Sequence, residues 1–180
     1  NAERFDWETD PPKPYAPSLL LMPTRSETFP FMRTPRGVAL HATRSDRALP
    51  ICQEFRIGSN WAVTRKDGLA ANATVGDDVV ALHVPWRRWG WHAYNASRYY
   101  VSLEIAQGLE TVEITDAEVR AAAWCVREAR DTWPAMPLRL RTHAELEHDG
   151  ETLLVSGKTD PYSFGSPLAD LLRERILALV

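Results

Sequence analysis

Apolar residues recur along this chain with two different periods, and the change of period marks where strands give way to helices. Gly37-Val38-Ala39-Leu40-His41 is an apolar run closing on a polar residue, the pattern of a buried strand. Trp61-Ala62-Val63-Thr64 and Leu69-Ala70-Ala71 flank Arg65-Lys66-Asp67-Gly68, whose Asp-Gly pair predicts a hairpin. Tyr99 to Ala106 is the strongest strand signal, rich in aromatic and branched residues. Thr115-Asp116-Ala117-Glu118 then forms a capping box, and Val119, Ala122, Ala123, Val126 and Ala129 repeat behind it at helical spacing until Pro134. A short strand, Leu138 to Leu140, leads to His143. Ser166-Pro167 opens a last helix predicted to carry Leu168, Leu171, Leu172, Ile176 and Leu179 on one face. Before Gly37 no helical period survives. Pro11, Pro12, Pro14, Pro17, Pro23, Pro30 and Pro35 predict an extended arm over residues 1–35, packed on the domain through Leu19, Leu20, Leu21 and Met22. The order of elements predicts one α/β domain over residues 36–180, with a central mixed sheet flanked by helices.

Composition narrows the functional classes. At 180 residues a single core can bury roughly 70% of the surface that the unfolded chain exposes, so neither a disulfide nor a metal is needed for folding. With 44% hydrophobic and 25% charged residues the chain reads as globular rather than disordered. No apolar run approaches the about 20 residues that span a bilayer, so no membrane insertion is expected. Residues 1–35 lack a basic start followed by an apolar block, so no signal peptide is expected there. A net charge of -3 provides no basic footprint for nucleic acid. Cys52 and Cys125 make no disulfide framework; Cys125 falls within a helical apolar pattern and is expected as a buried thiol, while a Cys52–Cys125 bridge stays open.

Three positions at strand ends or in nearby loops carry good metal ligands: His41, His143 and Asp160. A catalytic zinc site takes three protein ligands from His, Cys and carboxylate, leaving a fourth position for water. Five histidines offer several such triples, so spacing alone does not select this one. In Lys158-Thr159-Asp160-Pro161 an extended backbone sets Lys158 and Asp160 on one face, where one could bind a metal and the other stabilise an oxyanion; a surface ion pair is the plainer alternative. Glu104 lies in an otherwise apolar strand, facing either solvent or a cleft where it could act as a general base. Trp86, Trp89 and Trp91 crowd one segment with Arg87, Arg88 and His92, which suits stacking on sugar rings and pairing with carboxylates; indoles covering the core are the alternative for any single one. His83 reads as an ordinary strand-end residue, and His148, beside Glu147, Asp149 and Gly150, as an exposed hairpin tip.

The ordered pieces Gly37-Val38-Ala39-Leu40-His41-Ala42-Thr43, Asn60-Trp61-Ala62-Val63-Thr64-Arg65-Lys66-Asp67-Gly68, Trp91-His92-Ala93, Val101-Ser102-Leu103-Glu104-Ile105, Thr142-His143 and Lys158-Thr159-Asp160-Pro161 together resemble the zinc-dependent N-acetylmuramoyl-L-alanine amidase family of phage endolysins, muropeptide amidases and peptidoglycan recognition proteins. The resemblance spans about residues 36 to 165 and implies a peptidoglycan recognition protein-like fold. It implies Zn2+ held by His41, His143 and Asp160, and Glu104 and Lys158 as catalytic groups. It also implies a substrate groove around Asn60, Trp61, Trp86, Arg88, Trp89, Trp91 and His92. The implied activity is hydrolysis of the amide between N-acetylmuramic acid and L-alanine in peptidoglycan or muropeptides, by a protein expected to act as a monomer. Two departures stand out: Asn60-Trp61 replaces the Tyr-His or Ala-His of many relatives, removing a tyrosine that some members use, and Asp160-Pro161-Tyr162 replaces an Asp-Pro-Gly turn. The segment from His143 to Lys158 also looks inserted. The alternative is a non-catalytic peptidoglycan-binding module using the same groove. An unrelated zinc peptidase lacks support, because no His-Glu-x-x-His signature occurs.

Overall fold

The computed structural model describes residues 16–22, 24, 28–43, 70–77, 79–107, 113–152 and 157–180. Of the expected hairpin over 61–71, all but Ala70 and Ala71 lies outside the described residues, as do Asn60 and Cys52. Among the described residues the strands are β1 (Ser18–Leu21), β2 (Phe29–Pro30), β3 (Val38–Ala42), β4 (Ala73–Gly76), β5 (Val79–Leu82), β6 (Arg88–Trp89), β7 (Val101–Ile105) and β8 (Leu140–Thr142). The helices are a 3-10 helix (Tyr94–Tyr99), α1 (Asp116–Thr132), α2 (His143–His148) and α3 (Pro167–Leu177).

Six strands form one mixed sheet in the order β1-β5-β4-β7-β3-β8, in which only β4 and β5 pair antiparallel. Strands β3 and β7 lie at its centre with helices or loops over both faces, which is why they read as near-continuous apolar runs rather than alternating ones. Parity divides their side chains. Val38, Leu40, Val101, Leu103 and Ile105 join the large core with Val119, Ala122, Val126 and Ala129 of α1 and Leu172 and Ile176 of α3. Ala39 faces the other way, into a smaller cluster with Ala93, Ala96, Tyr100 and Leu146. His41 and Glu104, each an even number of residues from Ala39 or Ser102, therefore share the face opposite the large core.

The sheet takes up the N-terminal arm. Strand β1 pairs parallel with β5, and β2 pairs antiparallel with β6. Leu19, Leu20 and Leu21 are exposed rather than packed, Leu21 at 79%, whereas Met22 and Phe31 are the buried anchors. Helix α1 carries the expected capping box, with both the Thr115 and the Glu118 side chain engaged. On α3 the buried face is Ala169, Leu172 and Ile176, while Leu171 and Leu179 face solvent, so the apolar stripe is narrower than the leucine pattern predicts. Strand β8 begins two residues later than expected, and α2 follows it without a gap. Cys125 is a free thiol buried in α1.

Gly37 fixes the register between β3 and β8. Its φ is +148°, and a Cβ there would sit 2.2 Å from the Arg139 carbonyl oxygen, the same oxygen that accepts the Val38 amide at 2.9 Å. That close approach aligns Leu40 with Thr142 and so brings the residues that follow, His41 and His143, side by side. Gly37→Ala is expected to cost about 1–3 kcal/mol through backbone strain and displacement of β8. Chemical denaturation measures it; a midpoint equal to wild type would contradict this account of the β3–β8 contact.

Candidate metal centre

His41, His143 and Asp160 converge at the carboxyl ends of parallel strands, the place where open α/β sheets present their ligand sites. His41 is the fourth residue of β3. His143 is the first residue of α2, directly after β8, where Thr142 serves as N-cap in a second capping box with Glu145. Asp160 arrives on the loop before α3, and its Oδ2 accepts the Ala42 amide at 3.3 Å. The three ligating atoms lie within 4.8 Å of one another and all three residues are buried, the one such group among the described residues.

Hydrogen bonding around the two imidazoles determines which nitrogens face the centre. Tyr100 O, which can only accept, lies 3.3 Å from His92 Nε2, so that nitrogen carries the proton and His92 Nδ1 is an acceptor. His92 Nδ1 stands 3.0 Å from His41 Nε2, which therefore donates, and a neutral His41 is left with a bare Nδ1. Glu147 Oε1 lies 3.2 Å from His143 Nε2, close enough to attract a proton on that nitrogen but not aligned with it as a hydrogen bond, so Nε2 has no hydrogen-bond partner. The two Nδ1 atoms are 3.1 Å apart, and His41 Nδ1 is 3.4 Å from Asp160 Oδ2. Two donors each about 2.1 Å from a tetrahedral ion stand about 3.4 Å apart, so both distances lie close to the edge of such a site. The donor set, two neutral imidazoles and a carboxylate, suits a borderline ion such as zinc.

Charge at the site follows from this packing. Burial, and then the neighbouring His41, push the His143 ring down to about 3, so it is neutral at physiological pH. His92 is lowered by burial and by the two facing histidines. Burial alone would raise the Asp160 carboxyl, but His41, His143 and Lys158 outweigh it and hold the group below the ordinary carboxylate range. Glu104 sits beside His41 in the β3–β7 register and is raised by burial and by Asp160, with His41 and Lys158 pulling against them. Exposed Lys158 thus acts electrostatically on Glu104, His143 and Asp160 together.

The other expected site residues are distributed differently. His92 is buried behind His41 rather than on an open wall. Trp86 and Trp89 pack against the large core, and the Trp86 carbonyl accepts the Trp133 indole N–H at 2.8 Å. Trp89, Trp91 and Phe29 form an aromatic cluster, with Trp89 and Trp91 edge-on at 5.2 Å. The Arg88 guanidinium donates to the side chain and carbonyl of Thr28, tying the tryptophan segment to the arm. His148 ends α2 rather than a hairpin and stacks on Phe164 at 3.5 Å. His83 is structural: Met22 O accepts its Nδ1–H at 2.8 Å and Thr74 Oγ1 donates to its Nε2 at 2.8 Å.

Sequence reasoning missed two residues that shape the site. Asn72 donates to the carbonyls of Val84, Pro85 and Arg88 and accepts from Ser102 N–H and Oγ–H, fastening the tryptophan segment to β7; a single polar residue in an apolar stretch gave no sign of this. Glu147 was hidden for want of α2, although Thr142-His143-Ala144-Glu145 carries a capping-box signature that would have revealed the helix.

The sequence profile of the N-acetylmuramoyl-L-alanine amidase family matches residues 31–163, and the chain belongs to that family. Among solved structures, it is similar to a selenomethionine derivative of AmpD, with a TM-score of 0.64, 18% identity and coverage of 91% of this chain and 94% of that one. It is also similar to the Staphylococcus aureus hydrolase AmiA in complex with its ligand, at a TM-score of 0.61 and 15% identity over 90% and 84% of the two chains. A third similar structure is peptidoglycan recognition protein-LE in complex with tracheal cytotoxin, a monomeric diaminopimelic acid-type peptidoglycan, at 0.58 and 13% identity over 71% and 82%. These likenesses bear out the expected fold, a central mixed sheet flanked by helices. No curated protein matches the chain by sequence.

His83 gives a pH test free of the metal ligands. Burial lowers its pKa below the ordinary 6.5, so below pH 6.5 the unfolded chain binds more protons than the folded one. Stability from this group is therefore complete above pH 6.5 and declines as the pH falls. His83→Gln, which cannot titrate, is expected to flatten the loss of melting temperature between pH 7 and pH 5; parallel curves for the two proteins would contradict the assignment.

Proposed function

We propose that this chain is a zinc-dependent N-acetylmuramoyl-L-alanine amidase, hydrolysing the amide between N-acetylmuramic acid and L-alanine in peptidoglycan or muropeptides. The observation that carries this reading is the meeting of two imidazole nitrogens, 3.1 Å apart, with the Asp160 carboxylate. Family membership supplies the substrate class.

His41, His143 and Asp160 would hold the ion. When bound, zinc supplies a Lewis acid and lowers the pKa of its water to about 7. Glu104, with its raised pKa and its position beside His41, is suited to accept a proton from the attacking water and return it to the leaving L-alanine nitrogen. Lys158 keeps a positive charge at the rim, where it stabilises negative charge developing on the scissile carbonyl oxygen. The reaction needs no serine or cysteine nucleophile, and the buried Cys125 thiol, pushed up by its apolar surroundings, is unsuited to be one. Trp91, on the segment leading to His92, is the described tryptophan best suited to line the groove, with Asn60 and Trp61 assigned to it by resemblance. A binding-only module would need no complete ligand set, and the intact triad favours the enzyme.

The test joins metal analysis of the purified protein to mass spectrometry of digested muropeptides. Wild type is expected to carry one zinc and to release free stem peptides. His41→Ala and Asp160→Ala should lose both properties, and Lys158→Ala should lose about 10²–10³ in kcat while keeping the metal. Undiminished hydrolysis by either ligand variant would overturn the proposal.

A further inference from the structure

Near the candidate metal centre, the buried side chain of Glu147 reaches further than its contact with His143. It lies on α2 four residues after His143, a spacing that sets both side chains on one face of the helix. Its two carboxylate oxygens do different things. Oε1 lies 3.2 Å from His143 Nε2, and Oε2 accepts the Gly157 amide at 3.0 Å. Gly157 begins the run Gly157-Lys158-Thr159-Asp160, so this amide anchors the segment that carries both the third ligand and the lysine.

We infer that Glu147 is a positioning residue of the metal centre, whose carboxylate orients the His143 ring with one oxygen and holds the Lys158–Asp160 loop with the other. The inference rests on the metal-binding reading given above. A histidine that presents Nδ1 to an ion keeps its proton on Nε2, and a buried carboxylate 3.2 Å from Nε2 favours that tautomer by charge attraction. His92 gives His41 a partner of the same kind at 3.0 Å, so each ring is held from behind. Glu147 alone also reaches the loop. Four residues of extended chain span at most about 14 Å, so an amide fixed at Gly157 limits how far Asp160 can stray from the two rings. The helix that carries Glu147 is itself fixed: Thr142 and Glu145 cap it reciprocally, and Glu145 also pairs with Arg141 and Arg173. Between His143 and Lys158, the turn of α2 thus supplies a carboxylate that contacts both His143 and Gly157.

The test measures zinc affinity by chelator competition and the ligand-field spectrum of the cobalt-substituted protein, for wild type, Glu147→Leu, Glu147→Gln and His143→Ala, alongside the melting temperature of each metal-free protein. Glu147→Leu is expected to weaken zinc binding about 10–100-fold, the usual effect of losing a carboxylate behind a ligating histidine, and to alter the cobalt bands. Glu147→Gln, nearly the same shape, must turn its NH2 group toward one of two donors. It is expected to weaken binding by at least about threefold, and it decides the matter should the leucine variant fail to fold. A side chain that only stabilised α2 would lower the melting temperature and leave affinity and spectrum unchanged; that result would overturn the inference. If His143→Ala also bound zinc like wild type, the metal-binding reading itself would fall, whereas loss of zinc by that variant alone would reject Glu147 and leave the centre standing.

Discussion

Two unprotonated ring nitrogens facing each other at 3.1 Å in a protein interior repel, because their lone pairs point at one another and no water screens them. A cation shared with Asp160, as proposed above, would relieve that repulsion, and the surrounding residues are packed around this cluster. His92 and the Tyr100 carbonyl commit the proton of His41 to Nε2, and the Glu147 carboxylate, 3.2 Å from His143 Nε2, attracts a proton to that nitrogen. Burial lowers both His143 and His92 below the ordinary histidine range, which favours their neutral rings. Asp160, held by the Ala42 amide, adds the negative charge that would favour a metal ion there.

The sheet delivers these groups through register. Parallel pairing of β3 with both β7 and β8 aligns His41 with Glu104 on one side and with the start of α2 on the other. Because side chains alternate, a slip of one residue in β3 would turn His41 into the large core and Leu40 toward the site. Gly37 guards against that slip by admitting the Arg139 carbonyl where any side chain would clash. The large core packed against α1 and α3 stabilises one face of the sheet and leaves the opposite face, at the strand ends, free for chemistry.

What the sequence revealed and what it hid divide along the line between local and long-range causes. The cap and apolar period of α1 are written within a few residues, as are the Ser166 cap of α3 and the apolar run of β3, and the structure has all three. Strand β1 was illegible because its only partner is β5, sixty residues away, and its own leucines stay exposed. The ligand triple was suggested by resemblance, since composition offers several others, and only the fold brings its members together. Tryptophans beside arginines suggested a sugar platform, yet Trp86 and Trp89 turn out to cover the core and Arg88 to bind Thr28, because an indole gains more from burial than from solvent. The residues behind the ligands were the least legible. Nothing local marks Asn72 as a partner of groups far along the chain, or His92 as the residue behind His41 rather than on the groove wall, and Glu147 was hidden with its helix.

The most direct measurement is anomalous diffraction at the zinc edge from crystals of the metal-loaded protein. The account predicts one peak within about 2.0–2.2 Å of Nδ1 of His41, Nδ1 of His143 and a carboxylate oxygen of Asp160, with both Nε2 atoms still facing His92 and Glu147. An ion bound through either Nε2, or a peak at the exposed His148 and Asp149 instead, would contradict it.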